Sequence, residues 1–191
     1  MRKFITYIIL LAVSFSLFSC NKWLDISPKT EVKESENFTN EQGYKDALTG
    51  VYLLLTKSSL YGRDLSYGMV DVLGRQYTSI QSSSSYYYLS SYDYTNQTSI
   101  NIIDAVWSNA YNAIANLNVL ISHIDSEDPT LFTATNRDLI RGEAYGLRAF
   151  IHFDLLRLFG PSVINGADEP AIPYVKTVGK DLTQFSTVNQ A

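Results

Sequence analysis

Few residues in this 191-residue chain are of types that carry chemistry, and their spacing mostly argues against catalysis. His123 lies two residues before Asp125, and His152 two before Asp154. Residues two apart on a helix do not face each other, so neither pair makes a base with its orienting carboxylate. Glu143 would serve glycoside hydrolysis only beside a second carboxylate. With Arg141 and Arg148 as neighbours it reads as a salt-bridging residue. Two His and one Cys supply too few soft ligands for a zinc or iron–sulfur site. No glycine-rich phosphate loop is present. The expectation is a protein with no catalytic residue, no metal and no cofactor. Two features remain: the single cysteine, Cys20, and a segment dense in tyrosine and serine.

Cys20 ends an address. Arg2 and Lys3 supply positive charge, and residues 4–18 carry none. That stretch is shorter than the roughly 20 residues of a bilayer span and suits a signal-peptide core. Leu17-Phe18-Ser19-Cys20 then has the bacterial lipoprotein order, with Leu three before the cysteine and a small residue directly before it. The sequence predicts a signal peptide over residues 1–19 and a lipidated tether over 20–38. At about 0.8 kcal/mol per buried CH₂, the acyl chains on Cys20 would anchor the protein firmly. Trp23, Leu24 and Ile26 are too apolar for a pure spacer and are expected to pack back on the body.

Eight of the 14 tyrosines fall between Tyr61 and Tyr94, and Asp93 is the only charge between Arg75 and Asp104. Residues 82–96 show neither helical nor strict strand periodicity, which predicts a long structured loop of the kind that carries function. Tyrosine and serine also dominate antibody paratopes, where rigid rings give contact area at low entropic cost and hydroxyls add hydrogen bonds. Sugars, with CH-rich faces ringed by hydroxyls, suit the same mixture. The candidate ligand contacts are Tyr86, Tyr87, Tyr88, Tyr92 and Tyr94, with Arg75 and Asn96 as hydrogen-bonding partners. Two other readings stand beside this one: the rings pack onto the helices, and Arg75 and Asn96 pair or cap locally.

The elements around this loop are helical. Thr39 and Gln42 have capping-box spacing, and Tyr44, Ala47, Leu48, Val51, Tyr52 and Leu55 follow with amphipathic helix spacing. Gly43 and Gly50 each cost that helix up to about 1 kcal/mol. A second helix over about 99–124 carries the stripe Ile103, Val106, Trp107, Ala110, Tyr111, Ile114, Leu117, Ile121 and Ile124, and 125–130 ends it. A third over about 137–159 stops at Gly160-Pro161 and presents Ile140, Ala144, Leu147, Ile151 and Leu155. Gly142 and Gly146 predict a close approach of its backbone to a neighbour, with Ala110 and Ala113 as counterparts. Arg148, among apolar residues, is expected to be buried and to bond loop carbonyls. Two long helices with a short polar connection form an antiparallel hairpin. Residues 160–173 read as a loop, and Thr187 to Gln190 as a capping box that opens another helix, so the chain reads as an N-terminal fragment. A hydrophobic share of 46% with 18% charged residues excludes a disordered tail. The formal charge of −4 argues against nucleic acid as a partner.

Residues 141–160 resemble the signature helix of the SusD/RagB family of outer-membrane lipoproteins through Glu143-Ala144, Leu147-Arg148-Ala149, Phe153, Leu155 and Phe159-Gly160. Leu24-Asp25 with Pro28, Ala47 to Tyr52, and Ala171 to Val175 extend the resemblance along the chain. It implies an all-α, SusD-type body of tetratricopeptide-like helical hairpins with long loops, here residues 39–191 and incomplete at the C-terminus. It also implies a surface-exposed lipoprotein of the cell outer membrane that captures a glycan and delivers it to a TonB-dependent transporter, without catalysis. The tyrosine loop would then touch either glycan or transporter. A peptide-binding member, a helical-repeat scaffold without small ligand, and a lipid-anchored hydrolase are the alternatives.

Overall fold

Three long helices form where the apolar spacing predicts them, in a computed structural model that describes residues 37–179 and 181–191. Cys20, the signal peptide, the tether up to residue 36, and Trp23, Leu24 and Ile26 lie outside the described residues. The first helix, α1 (Glu41–Leu55), is capped one residue later than the spacing suggests. Asn40 is extended, and its side-chain oxygen accepts from Gly43 N–H at 3.1 Å. Gly43 is required: a Cβ there would lie 1.6 Å from the Asn37 carbonyl oxygen. Gly50 has open space around it. Tyr44, Leu48, Val51 and Leu55 are buried.

Two short turns, α2 (Met69–Leu73) and α3 (Tyr87–Ser90), precede the longest helix, α4 (Gln97–Ser126). A 3₁₀ turn over Pro129–Leu131 leads to α5 (Asn136–Phe159). Pairs across the α4–α5 seam run in opposite order, Asp125 with Arg141, Asn118 with Arg148 and Trp107 with Phe159, so the hairpin is antiparallel as expected. The first helix joins it, meeting α4 through Tyr44–Glu127 and Lys57–Asn109 and α5 through Glu41–Asn136 and Tyr52–Glu143. It therefore runs antiparallel to α4 and parallel to α5. Because α4 lies against both neighbours, it buries Ala113, Asn118 and Leu120 beyond the predicted stripe. Each buried Leu or Ile contributes about 1.5–3 kcal/mol.

Several local expectations are corrected. Gly142 and Gly146 face open space, so they do not mark the close approach, and the buried small residues are Ala110, Ala113 and Ala144. Glu143 accepts the Tyr52 hydroxyl of α1, and Arg141 pairs with Asp125 at 2.5 Å instead. Residues 160–173 are not loop throughout. They hold α6 (Val163–Gly166) and β1 (Pro170–Pro173), which pairs antiparallel with β2 (Phe185–Thr187). Thr187 thus ends a strand and caps no helix among the described residues, and a turn follows in which its N–H donates to Gln190 Oε1 at 3.0 Å.

The two histidine pairs stay apart. His123 stacks on Phe38 with centroids 4.3 Å apart. His152 is buried, and its Nδ1–H donates to the Arg148 carbonyl at 2.9 Å. Burial holds its pKa below the ordinary value, against the opposing pull of that carbonyl. Asp125 takes Arg141 and Tyr145, and Asp154 takes Tyr61 and Arg157.

Candidate ligand-binding surface

The tyrosine-rich segment is pinned by its buried residues. Leu60 and Leu65 enter the core just after α1, Met69 and Val72 anchor α2, and Leu89 anchors α3. The Tyr61 hydroxyl donates to buried Asp154 at 2.7 Å while its ring stacks on Phe150. Burial, with Asp154 adding to it, pushes the Tyr61 phenol far above its ordinary pKa, so it remains a donor. Asp64, 2% exposed, forms a second buried post. It accepts from Arg63 Nε at 3.1 Å and Nη2 at 3.2 Å, and from the Tyr86 hydroxyl. The expected loop is therefore part of a set of short helical turns, joined to α5 by the Tyr61–Asp154 bond and tied to itself by Asp64, which links Tyr86 back to the turn after α1.

This framework divides the candidate residues. Tyr86 is half-buried, and burial together with Asp64 raises its pKa strongly, so its ring and hydroxyl serve the fold. Arg75 adopts φ 57° and Tyr92 φ 59°, both in the left-handed region. The two lock onto each other: Arg75 Nε donates to the Tyr92 hydroxyl at 3.0 Å, and its guanidinium carbon lies 4.7 Å from the ring centroid. The Tyr92 hydroxyl in turn donates to the Leu73 carbonyl at 3.0 Å. Asn96 is the N-cap of α4, its side chain accepting from Thr98 N–H at 2.9 Å. Asp93 accepts from Thr95 and Asn96, and those donors hold its carboxyl below the usual range.

Tyr87, Tyr88 and Tyr94 remain. All three are exposed, and none of their hydroxyls makes a hydrogen bond among the described residues. Tyr87 and Tyr88 meet edge-to-face at 5.4 Å, and Tyr94 lies 6.4 Å from Tyr92. Tyr67 and Tyr77 belong to the same exposed set and were not singled out by sequence. They hold each other through Tyr77 hydroxyl to Tyr67 carbonyl, and the Tyr67 hydroxyl donates to the Gly62 carbonyl at 2.9 Å. Tyrosine density was the available signal for them; the backbone carbonyls that receive their hydroxyls were not visible in it. Tyr87, Tyr88 and Tyr94 thus present exposed rings with three phenol groups that make no hydrogen bond among the described residues. No group of three or more His, Cys, Asp or Glu able to hold a metal occurs among the described residues.

Comparison with known proteins gives a consistent result. A family profile described as starch-binding associating with outer membrane matches residues 22–191. A SusD-like protein of Formosa agariphila is 23% identical over 209 aligned positions, covering 100% of this chain and 38% of its own length. A SusD superfamily protein of Bacteroides thetaiotaomicron, solved by crystallography, aligns with a TM-score of 0.56 at 24% identity, over 74% of this chain and 31% of that one. The chain thus spans little more than a third of the curated relative it matches. The profile covers most of the chain and the helical fold agrees, so the chain belongs to the SusD-like family of proteins associated with the outer membrane.

Proposed function

We propose that the protein captures a glycan at the outer surface of the outer membrane and passes it to a TonB-dependent transporter, without catalysing a reaction. The acylated Cys20 holds it there, and Tyr87, Tyr88 and Tyr94, assisted by Tyr67 and Tyr77, supply the ring faces on which the sugar stacks. The observation that carries this reading is the pairing of exposed rings and unengaged hydroxyls with a base pinned by Asp64 and Asp154. A preorganised aromatic surface binds with little ordering cost. The family's starch-binding description supports a neutral glucan as the first ligand to try. The test is the triple substitution Tyr87→Ala, Tyr88→Ala and Tyr94→Ala, with binding to soluble starch followed by affinity electrophoresis and calorimetry. A loss of about 1–2 kcal/mol per important ring, with melting unchanged, is expected. Undiminished binding by the triple variant would remove this surface from the function.

A further inference from the structure

A second site lies at the other end of α4. Asn118 stands 21 residues beyond Gln97, about 30 Å along the helix at 1.5 Å per residue, so it is remote from the tyrosine surface at the N-terminal end. There the α4–α5 seam and the segment after β1 enclose a groove of about 440 Å³, lined among others by Asn118, Ser122, Tyr145, Arg148 and Lys176.

Arg148 sets its chemistry. The residue is 9% exposed, yet no carboxylate pairs with its guanidinium among the described residues. Nη1 donates to Asn118 Oδ1 at 2.6 Å and to the Lys176 carbonyl at 2.9 Å. Nε and Nη2 make no hydrogen bond among the described residues. Its guanidinium carbon lies 4.9 Å from the Tyr145 ring centroid, but no counter-ion among the described residues neutralises it, and desolvated charge is costly unless paired. The carboxylate on the rim, Asp125, is already taken by Arg141 at 2.5 Å and the Tyr145 hydroxyl at 2.7 Å. Lys176 lines the groove, and its ammonium, 5.2 Å from the Tyr174 ring centroid, adds positive charge near the wall.

We infer that this groove binds a carboxylate-bearing sugar, a uronic acid unit, whose carboxylate is received by Nε and Nη2 of Arg148. The free edge of the guanidinium presents two parallel donors, the geometry that takes a carboxylate in two hydrogen bonds. Ser122 and Thr177 line the same groove; the Ser122 hydroxyl, which donates to the Val119 carbonyl at 2.8 Å, can accept from a sugar hydroxyl, and Thr177 supplies a second hydroxyl. An acidic peptide shares the carboxylate and lacks the ring of hydroxyls.

Calorimetric titration of the full chain with trigalacturonate tests this, with maltotriose as the neutral control and triglutamate as the acidic peptide. Trigalacturonate should bind in a salt-sensitive manner. Arg148→Lys, which loses the fork, should weaken it about tenfold or more. Lys176→Glu and Val178→Trp change exposed side chains at the groove wall and should weaken it comparably with melting unchanged. If Arg148→Lys does not fold, the two wall variants decide. Failure of trigalacturonate to bind, or undiminished binding in both wall variants, overturns the proposal. Equal binding of triglutamate overturns the assignment to a sugar. Because the tyrosine surface is remote, the Tyr87, Tyr88 and Tyr94 substitutions should leave trigalacturonate binding intact, and its loss in them would also count against the groove.

Discussion

Tyr86→Phe removes one oxygen and leaves the ring in place. The lost group is a donor to Asp64, a carboxylate 2% exposed, across 22 residues of chain. Hydrogen bonds to charged groups contribute about 1.5–3 kcal/mol. Asp64 keeps both Arg63 contacts, at 3.1 and 3.2 Å, so its charge is not stranded and the lower end of that range applies. The expected loss is about 1.5 kcal/mol, or about 3–6 °C in Tm at 2–4 °C per kcal/mol for a body of this size. Urea unfolding followed by circular dichroism measures it, and an unchanged slope shows that the same surface unfolds. In a cycle with Asp64→Asn the two losses should be less than additive by about 1 kcal/mol, since the partners share one bond. Glycan affinity should not change, because Tyr86 presents its hydroxyl to the body. A variant that melts like wild type, or one that loses affinity at unchanged Tm, would refute the division between Tyr86 and the exposed rings.

The remaining predictions concern Glu41 and Cys20. The ion pair with Lys45 and the Thr133 N–H, helped by Asn136 and opposed by burial, hold the Glu41 carboxyl at about 2 against its ordinary 4.5. A depressed carboxylate stabilises the fold above its unfolded pKa and loses that contribution as pH falls through the folded value. Stability should therefore decline between pH 4.5 and about 2, and Glu41→Gln should flatten that part of the urea midpoint–pH curve; superimposable curves would refute it. Cys20→Ala should yield a soluble or uncleaved protein with no lipid mass by mass spectrometry, and a normal lipoprotein in that variant would sink the signal reading.

The sequence determined the parts of this protein whose physics is local. Helix periodicity needs only neighbours three and four residues away, so the stripes on α1, α4 and α5 and the stop at Gly160 were legible. Arg148 could be read as buried because Ala144, Ile151 and Leu155 share its helix face, and it does bond the Lys176 carbonyl. The cap at Asn96 was equally local, set by a residue that accepts from an N–H two places on, although composition alone made it a ligand candidate. The motif at 143–160 carried the family for the same reason, being contiguous.

Tertiary structure alone decided which tyrosines are free. Tyr86 and Tyr87 are adjacent and chemically identical; the hydroxyl of one meets Asp64, because the chain folds back over 22 residues, and that of the other makes no hydrogen bond among the described residues. Tyr92 is committed by Arg75, 17 residues away, and Glu143 by Tyr52, 91 residues away. The pairing of β1 with β2, and the open space beside Gly142 and Gly146, were likewise settled by contacts across the chain. A side chain's hydrogen-bond partner and burial depend on distances in space, and in an aperiodic segment sequence spacing carries no record of them.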